Sequence, residues 1–454
     1  MAESLVLTQF EIRTIRKIRL RILPLVCVLY VVAFIDRINI GFAALEMNRE
    51  LAITSQQYGL LAGIFFCGYV IFEVPSNLAL HKFGARIWIA RILVSWGIVA
   101  TLTGFAQTVT QLCLARFLLG AAEAGFFPGI VLYFTYWFRQ REQALAVALL
   151  FAGAPVASIV GAPISGILLD HAHWLNLPGW RWLLILEGLP AIVCGALTLF
   201  LLPEHPAEAA FLTADERKWI ESELNREKLE KAPASDVPLW RVFANRRVWH
   251  LALTVFWWDI GLYWMNFWMP QKLKSLSSLY SNTTVGMLVV IPQLAGLIGM
   301  VLVSRSSDHR QERRFHAAVP AIIGGIALLL LPAADSPILT ITVLNIMAVG
   351  VYSFLAPFSS RWSEFLTGSA AAAGIALINS VGNVGAFVGP YAIGAIDQRI
   401  GGFNGGIVFT GLSLLACGTL ALLLRGTGKP ALSIPARGRI PPNGQVDGTK
   451  VAGA

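Results

Sequence analysis

Apolar residues recur along the chain in long stretches, without the alternation of half-buried strands or the single stripe of surface helices. A helix needs about 20 apolar residues to cross the hydrocarbon core of a bilayer. Twelve stretches approach or exceed this length, at 22–45, 57–80, 87–106, 110–134, 144–169, 182–202, 249–271, 283–303, 316–332, 337–358, 370–396 and 403–424. The pattern predicts an all-α membrane protein with twelve transmembrane helices.

A polar segment divides the twelve stretches into two sets of six. Within it, Thr213 and Glu216 have the spacing of a capping box, which predicts a charged, solvated helix connecting the two sets. The end of the chain turns to Gly, Pro and Lys and predicts a disordered tail. The predicted organisation is an N-terminal six-helix bundle with a basic leading segment (1–202), a cytoplasmic linker (203–248), a C-terminal six-helix bundle (249–425) and a cytoplasmic tail (426–454).

The composition supports a membrane protein and the charge sets its orientation. Of 454 residues, 56% are hydrophobic and only 13% are charged, against about 25% charged in soluble domains. A net charge of +9 is compatible with nucleic-acid binding. The positions of the basic residues instead favour a role in setting the orientation of the protein in the membrane and in contacting lipid headgroups. With both termini in the cytoplasm, the inner segments carry most of the basic residues between spans, including Arg13, Arg16, Lys17, Lys82, Arg86, Arg139, Arg141, Arg305, Arg310, Arg313 and Arg314.

The sequence lacks the motifs of disulfide-rich proteins, of several enzyme classes and of nucleotide-binding proteins. All five cysteines fall inside apolar stretches, so a disulfide framework is not expected. No HExxH, paired-cysteine, nucleophile-elbow or nucleotide-binding glycine-loop motif occurs. We therefore expect no enzyme activity, no metal and no cofactor, and transport driven by an ion gradient rather than by ATP.

Two adjacent charges interrupt the first span, in the stretch FIDRINIGF. A charge at the centre of a spanning helix costs about 2.5 to 3.5 kcal/mol, so Asp36 and Arg37 must face protein or a water-filled cavity. Neighbours on a helix point about 100° apart and pair poorly with each other. We expect each to have its own partner on another helix, either as a structural ion pair or as part of a functional site.

The second and fourth spans offer partners for these charges. Arg116 and Glu123 are seven residues apart in ARFLLGAAEAGFFPG, and so share one helix face about 10 Å apart along the axis. They can bracket a small ligand or pair across to the first span. Tyr69 and Glu73 share a stripe of the second span; Tyr69 suits either ordinary packing or ligand contact, and Glu73, nearer the inner end, suits a gate or a structural partner.

The second half has fewer charges and more amides and aromatic residues. Asn379 and Asn383 are one turn apart in the eleventh span and can bond either a solute or adjacent helices. Asp259 in the seventh span has no basic neighbour in sequence, which makes it a candidate proton site. The tryptophans around it can serve as interface anchors, the commoner use in membrane proteins.

Short basic loops stand at equivalent places in the two halves, LHKFGARIW and SSDHRQERR. They resemble the loop signature of the major facilitator superfamily, which implies two six-helix bundles that rock about a central site. By this resemblance His81, Arg86, Asp308 and Arg313 belong to the gating loops. His81 stands where that signature usually has Asp, whereas Asp308 retains it.

Four longer segments narrow the resemblance: FIDRINIGFAAL, FEVPSNLALHKFGAR, ARFLLGAAEAGFFPGIVLYFTYWF and AGIALINSVGNVGAFVGPY. In order and over nearly the whole chain they resemble the anion:cation symporters of that superfamily, which carry tartrate, phthalate, hydroxyphenylacetate, nicotinate or sugar acids. Departures at Ala154, Asp259 and Trp362 favour an aromatic or short-chain carboxylate over a sugar acid. The resemblance implies carboxylate contacts at Arg37 and Arg116, proton-linked acids at Asp36 and Glu123, and cavity contacts at Tyr69 and Asn383.

The resulting hypothesis is proton-coupled uptake of a small organic anion by a monomer in the inner (plasma) membrane. The arginines supply forked, positively charged donors for a carboxylate, and the acids compete for them until protonated. The alternatives are proton-driven efflux of a drug or metabolite and, in a different class, a membrane-embedded sensor or enzyme.

Overall fold

Every regular element of the described chain is helical. The computed structural model describes residues 8–230, 242–362 and 369–424. The predicted tail and part of the predicted linker lie outside these residues. The α-helices, in chain order, are α1 (Gln9–Glu50), α2 (Ser55–Phe83), α3 (Ala85–Thr103), α4 (Val109–Glu123), α5 (Phe126–Thr135), α6 (Gln140–His171), α7 (Gly179–Leu201), α8 (Ala214–Glu230), α9 (Arg246–Phe267), α10 (Met269–Lys274), α11 (Asn282–Arg310), α12 (Arg314–Leu330), α13 (Pro337–Ser360), α14 (Ser369–Ile400) and α15 (Asn404–Leu423).

Most of these helices suit a bilayer. Within the described residues, eleven helical segments are long and apolar enough to cross a membrane, with α4 and α5 together forming one segment, Val109–Thr135. The predicted seventh span corresponds to α9, which is 22 residues long and is not among the eleven. It contains the charged residues Arg246, Arg247 and Asp259, yet most of its residues are buried in the helix bundle. The fold is that of an all-helical membrane protein.

The first and fourth predicted spans differ from the observed helices. Helix α1 starts at Gln9 because Thr8 and Glu11 form a capping box, so the basic leading segment is helical and continuous with the span. The fourth predicted span is present as one segment, Val109–Thr135, but its helix breaks at Gly125, whose φ of 84° is left-handed. A Cβ at Gly125 would also collide with Ser76 of α2. The break makes Glu123 the last residue of α4.

The helices pack as two sets that meet along two seams. In the N-terminal set α1 packs against α6 and α7, α2 against α4, and α3 against α4 and α7. In the C-terminal set α9 packs against α14 and α15, α11 and α12 both pack against α13, and α12 packs against α15. The seams between the sets are α2 with α14 and α6 with α11. This arrangement brings the middle of α1, α2, α4 and α9 together.

The two ends of the bundle differ in how closely the sets approach. We call the end carrying Arg86, Arg139 and Arg313 the basic end and the other the far end. At the far end, a Cβ at Gly59 of α2 would collide with a backbone carbonyl of α14, and one at Gly394 with the carbonyl of Ser55. The far end is therefore closed by direct backbone contact.

Polar contacts reinforce the closed far end. Asp170 of α6 accepts hydrogen bonds from the backbone N–H groups of Asn282 and Thr283 at 3.1 and 2.7 Å, and from Thr283 Oγ1 at 2.7 Å. Tyr58 of α2 donates to the Phe267 carbonyl at 2.9 Å. At this end Asp170 thus links the α6–α11 seam, and Tyr58 joins α2 to α9 of the other half.

The linker contains the predicted charged helix, α8, and its capping box is confirmed. Thr213 N–H donates to Glu216 Oε2 at 2.9 Å, and Glu216 N–H donates to Thr213 Oγ at 3.3 Å. The helix is not a freely solvated connector, because Ile220 and Leu224 are buried and Lys17 Nζ forms an ion pair with Glu216 at 2.6 Å. Burial alone would raise the pKa of Glu216, but the bonds from Lys17 and Thr213 outweigh it and lower that pKa.

Candidate functional site

The two charges of the first span have separate partners on other helices, which confirms the sequence-based expectation. Arg37 Nη2 forms an ion pair with Glu123 Oε1 at the end of α4. Asp36 Oδ2 accepts a hydrogen bond from Trp96 Nε1 of α3 at 2.6 Å. The Arg37 side chain is 15% exposed and that of Glu123 only 1%. Arg37 is therefore the accessible member of a largely buried ion pair.

Arg116 lies behind Arg37, one helix further from the centre. Its Nη2 donates to the backbone carbonyl of Arg37 at 3.3 Å, and its guanidinium carbon is 5.1 Å from the centroid of the Phe65 ring. The side chain is fully buried. The sequence left open whether Arg116 and Glu123 bracket a ligand or pair across to the first span; in this structure both contact Arg37.

Aromatic rings line the surroundings of Arg37. Its guanidinium carbon is 5.4 Å from the Phe65 centroid and 5.6 Å from that of Tyr69, within the range of cation–π attraction. The buried Tyr263 of α9 has its ring centroid 4.5 Å from that of Phe66, and Tyr30 lies seven residues before Arg37 on α1. Tyr69 was singled out from the sequence. Phe65, Tyr30 and Tyr263 were not, because an aromatic residue in an apolar span gives no signal of its neighbours.

Further polar groups are buried in the bundle, on α6 of the first half and on α9, α11 and α13 of the second. Tyr352 of α13 donates to Gln293 Oε1 of α11 at 2.7 Å, and both are buried. Ser158 of α6 donates to Asn266 Oδ1 of α9 at 3.3 Å, which joins the two halves. None of these was selected as a site residue from the sequence.

The two asparagines of α14 make different bonds. Asn379 Nδ2 donates to Glu73 Oε1 of α2 at 2.7 Å, across the seam between the halves. Asn383 Nδ2 donates to the Asn379 carbonyl of its own helix at 3.0 Å. From the sequence these asparagines could bond either a solute or adjacent helices, and in this structure both bond to protein groups. Glu73 and Asn379 form a polar link on the basic-end side of the centre.

Asp259 is buried in α9 and lies against Gly382 of α14, where a Cβ would be 2.6 Å from Asp259 Oδ2. Arg37 acts on it electrostatically from the other half. The interface-anchor interpretation of the neighbouring tryptophans is wrong for Trp258 and Trp264, which are buried inside the protein. Trp258 Nε1 donates to the Val351 carbonyl at 2.8 Å and so fixes α9 against α13.

The loop residues predicted to gate transport lie at the basic end. At the first loop, the backbone N–H groups of Ala85 and Arg86 donate hydrogen bonds of 2.6 and 2.8 Å to Glu204, which lies at the start of the linker. These bonds cap α3. His81 is exposed. In the second loop Asp308 and Arg313 form an ion pair. The bonds named here therefore fix each motif within its own half.

Potential metal ligands and thiols are scattered through the described part of the chain. No cluster of three or more His, Cys, Asp or Glu side chains there is arranged to hold a metal ion. The cysteines are free thiols. The central cluster around Arg37 is thus the candidate site.

Comparison with known proteins identifies the family. The sequence profile of the Major Facilitator Superfamily matches residues 26–390. A protein of Agrobacterium vitis that bears the provisional name of tartrate transporter is 43% identical over 93% of each chain. A quinolone resistance transporter of Acinetobacter baumannii is 36% identical over 89% of this chain and 93% of its own.

A solved structure shares the fold. A bacterial homologue of the human lysosomal transporter Spinster, in an inward-facing and unoccupied conformation, matches with a TM-score of 0.71 and 17% identity, over 89% of this chain and 96% of that chain. The named tartrate transporter agrees with the resemblance to anion:cation symporters found in the sequence. Together with the profile match, these findings make the protein a transporter rather than an enzyme. The chain belongs to the Major Facilitator Superfamily.

Proposed function

We propose that this protein takes up a small organic anion together with protons, by alternating access. One observation carries the proposal: a partly exposed Arg37 at the centre of the bundle is held by a fully buried Glu123. An arginine presents planar hydrogen-bond donors that suit a carboxylate. The Glu123 carboxylate, which is already bonded to Arg37, competes with any anionic substrate for these donors.

Protonation of Glu123 resolves this competition. An ionised Glu123 neutralises Arg37, whereas a protonated one leaves the guanidinium free for the substrate carboxylate. Proton and anion therefore favour each other's binding, and this coupling must be reciprocal. Asp36, held by Trp96, is the second acid next to this site. Asp259 faces it from α9 and is a third candidate.

Arg116 supports the site from behind. It supplies a second positive charge and fixes the Arg37 backbone through the carbonyl bond. Direct contact between Arg116 and the substrate would require movement of Phe65, whose ring lies over the guanidinium group. Tyr69, Asn379 and Asn383 are the proposed polar contacts for the rest of the substrate.

Alternating access follows from the difference between the two ends. At the far end the halves touch backbone to backbone and through Asp170. Towards the basic end, the bond from Asn379 to Glu73 links the same seam. Rocking of the halves would break one set of contacts as the other forms. His81, Arg86, Asp308 and Arg313 are the proposed gating-loop residues, because they lie at the basic end, which would open and close as the halves rock.

The orientation and setting are part of the proposal. The basic residues concentrate at one end, which the positive-inside rule places in the cytoplasm. We therefore assign the basic end and both termini to the cytoplasm, the protein to the inner membrane, and the working unit to a monomer. The substrate is a carboxylate such as tartrate or an aromatic acid, since Arg37 lies among the rings of Phe65 and Tyr69.

The experiment is to add single organic acids to proteoliposomes that contain the purified protein and a pH-sensitive dye inside. Tartrate, an aromatic acid, a dicarboxylate and a sugar acid form the first panel, with protein-free liposomes as the control. Symport predicts that one of them acidifies the interior on addition. Absence of acid-linked proton movement with every organic acid tried would refute the proposal.

Efflux is the second candidate, favoured by the relative named for quinolone resistance. The same fold serves both directions. Proton-driven efflux requires protons and substrate to move in opposite directions, so a substrate loaded inside would leave as the interior acidifies. The direction of proton movement relative to substrate separates the two.

A further inference from the structure

A buried carboxyl group that the proposed mechanism does not use lies next to Asp36. Glu187 of α7 is 7% exposed. Ser165 of α6 donates to its Oε1 at 2.7 Å, whereas its Oε2 is buried without a hydrogen-bond partner. A buried carboxyl oxygen without a partner is costly and needs a physical explanation.

Asn39 is a buried polar residue of α1, the helix that carries Asp36 and packs against α7. It is one turn along α1 from Asp36, is 2% exposed, and its Nδ2 donates to Asp36 Oδ1 at 3.4 Å. The same amide also acts on Glu187. Its Oδ1 is a buried acceptor to which no group donates. Two unsatisfied atoms, one on Asn39 and one on Glu187, therefore occur in the same polar cluster.

The charges around Glu187 do not balance a carboxylate. From α1 the facing groups are Asn39 and Asp36, and Asp36 repels a second negative charge. From α6 the facing group is the Ser165 hydroxyl. Helix α3, which also packs against α7, presents the Thr101 hydroxyl beside Gly188. None of these groups is a cation.

The basic residue of α7 itself is engaged elsewhere. Arg181 bonds to Glu50 and to the carbonyls of Gly104 and Ala106 towards the far end. An ionised Glu187 would therefore be a buried charge facing another acid, an arrangement that costs several kcal/mol.

A proton on Glu187 Oε2 would remove the buried negative charge and turn this oxygen from an acceptor without a partner into a donor. Asn39 Oδ1 is a buried acceptor of the same cluster that lacks a donor. We propose that Glu187 is a further proton-binding residue of this transporter, forming with Asp36 a pair of carboxyls that are coupled through Asn39. The inference rests on the proposed proton-coupled transport and adds a residue to it. No covalent bond other than O–H is made or broken, and each proton exchanges with water.

Coupling predicts a reciprocal effect. Two carboxyls that share one site titrate in two steps that belong to the pair. When one is removed, the other loses a like-charge neighbour and holds its proton less tightly. Glu187→Gln should therefore shift titration of Asp36 towards acidic pH, and Asp36→Asn should shift that of Glu187 in the same direction.

The test is infrared difference spectroscopy of the full-length protein in lipid vesicles, between mildly acidic and mildly alkaline pH. The wild type should show two titrating carboxylic acid bands from this pair. E187Q should lose one of these bands, and the titration midpoint of the other should move towards acidic pH by about one pH unit or more. Bands in E187Q and D36N that keep the wild-type midpoints, or the absence of a titrating band from Glu187, would overturn the proposal.

Two controls separate coupling from structure. Ser165→Ala removes the bond to Oε1 but leaves both carboxyls, so the number of titrating bands should stay at two while the midpoint moves towards alkaline pH. Thermal unfolding of each variant reports whether it folds. Replacing sodium by choline should leave the bands unchanged; a sodium-dependent shift would instead indicate a cation site and overturn the assignment to protons.

Transport measurements then connect the pair to function. In proteoliposomes, protons moved per carboxylate should be lower in E187Q than in the wild type, by about one proton per cycle. An unchanged ratio would overturn a role for Glu187 in transport. The infrared experiment needs no substrate, so failure of the wild type to move protons with any acid would reject the proposed function separately.

Discussion

Asn379 of α14 donates a hydrogen bond of 2.7 Å to Glu73 of α2, and this bond links the two halves on the basic-end side of the candidate site. The far end of the same seam is closed by backbone contact at Gly59. The pair α2 and α14 thus has a hydrogen bond on the basic-end side and a steric backbone contact at the far end. In a rocking transporter, such contacts are expected to set the balance between the two open states.

Removal of the Glu73 carboxylate should favour opening at the basic end. Glu73→Ala deletes the acceptor of a hydrogen bond to a charged group, worth about 1.5 to 3 kcal/mol, which corresponds to roughly a 10- to 100-fold shift between states. Distances between spin labels at the basic ends of α2 and α14 would report the shift. Glu73→Gln is the matched control because it retains an acceptor oxygen. Equal distance distributions in E73A and the wild type would contradict the prediction.

Arg37 should be needed for anion binding. Arg37→Gln removes the charge and the forked donors and should weaken carboxylate binding by about 10- to 100-fold. Arg37→Lys keeps the charge but not the planar fork, so an intermediate loss is expected. Binding can be measured by thermal shift with the acid that acidifies proteoliposomes. Wild-type affinity in R37Q would exclude this residue from the substrate contact.

Replacement of Glu123 by Gln should uncouple binding from pH. An ionised Glu123 occupies Arg37 in the structure, and the amide resembles the protonated acid. In the wild type, carboxylate affinity should fall as pH rises because Glu123 loses its proton; in E123Q it should be high and nearly constant. Titration of affinity against pH tests this. A steep wild-type pH dependence retained in E123Q would mean that another acid controls Arg37.

Enlarging Gly59 should hold the far end open. A side chain at this position would collide with the Pro390 carbonyl, so Gly59→Val should block closure and reduce transport at least tenfold, about 1.4 kcal/mol or more. Accessibility of cysteines introduced at the far end should increase. Leu78→Val, on the same helix and 67% exposed, is the control and should behave as the wild type. Normal transport by G59V would show that this contact is not needed for the cycle.

Acid should loosen the linker helix α8 from the N-terminal set. The pKa of Glu216 is lowered in the folded protein from an ordinary value of 4.5. A group with a lowered pKa stabilises the folded state above its unfolded pKa, and this contribution disappears as pH falls through the folded value. The partly exposed ion pair with Lys17 is worth about 0.2 to 1 kcal/mol.

Relative to the intrinsic amide exchange rate at each pH, hydrogen exchange of α8 should therefore be a few-fold faster below about pH 4. Glu216→Gln should show the faster exchange already at neutral pH, whereas Glu221→Gln, on the same helix without a bond to Lys17, should not. Identical exchange in E216Q and the wild type at neutral pH would mean that the apolar contacts of Ile220 and Leu224 alone hold the helix.

The hydrophobic pattern was sufficient for the class of fold. Long apolar stretches leave a helix as the main way to satisfy the backbone within a bilayer, and Thr213 with Glu216 indicated the start of α8. Helix boundaries were less predictable. Gly125 breaks the fourth span because of a left-handed backbone and the proximity of Ser76, and neither is visible in an apolar run.

The sequence also determined that Asp36 and Arg37 need partners, because a buried charge costs too much to leave alone. Which partners they have was decided by tertiary packing. Glu123 is 86 positions away from Arg37 and Trp96 is 60 from Asp36, and only the meeting of α1 with α3 and α4 brings them together. The neighbours of Glu187 could not be predicted from the sequence either. In the sequence it is one acid in an apolar span, and only the packing of α1 against α7 brings it near Asn39.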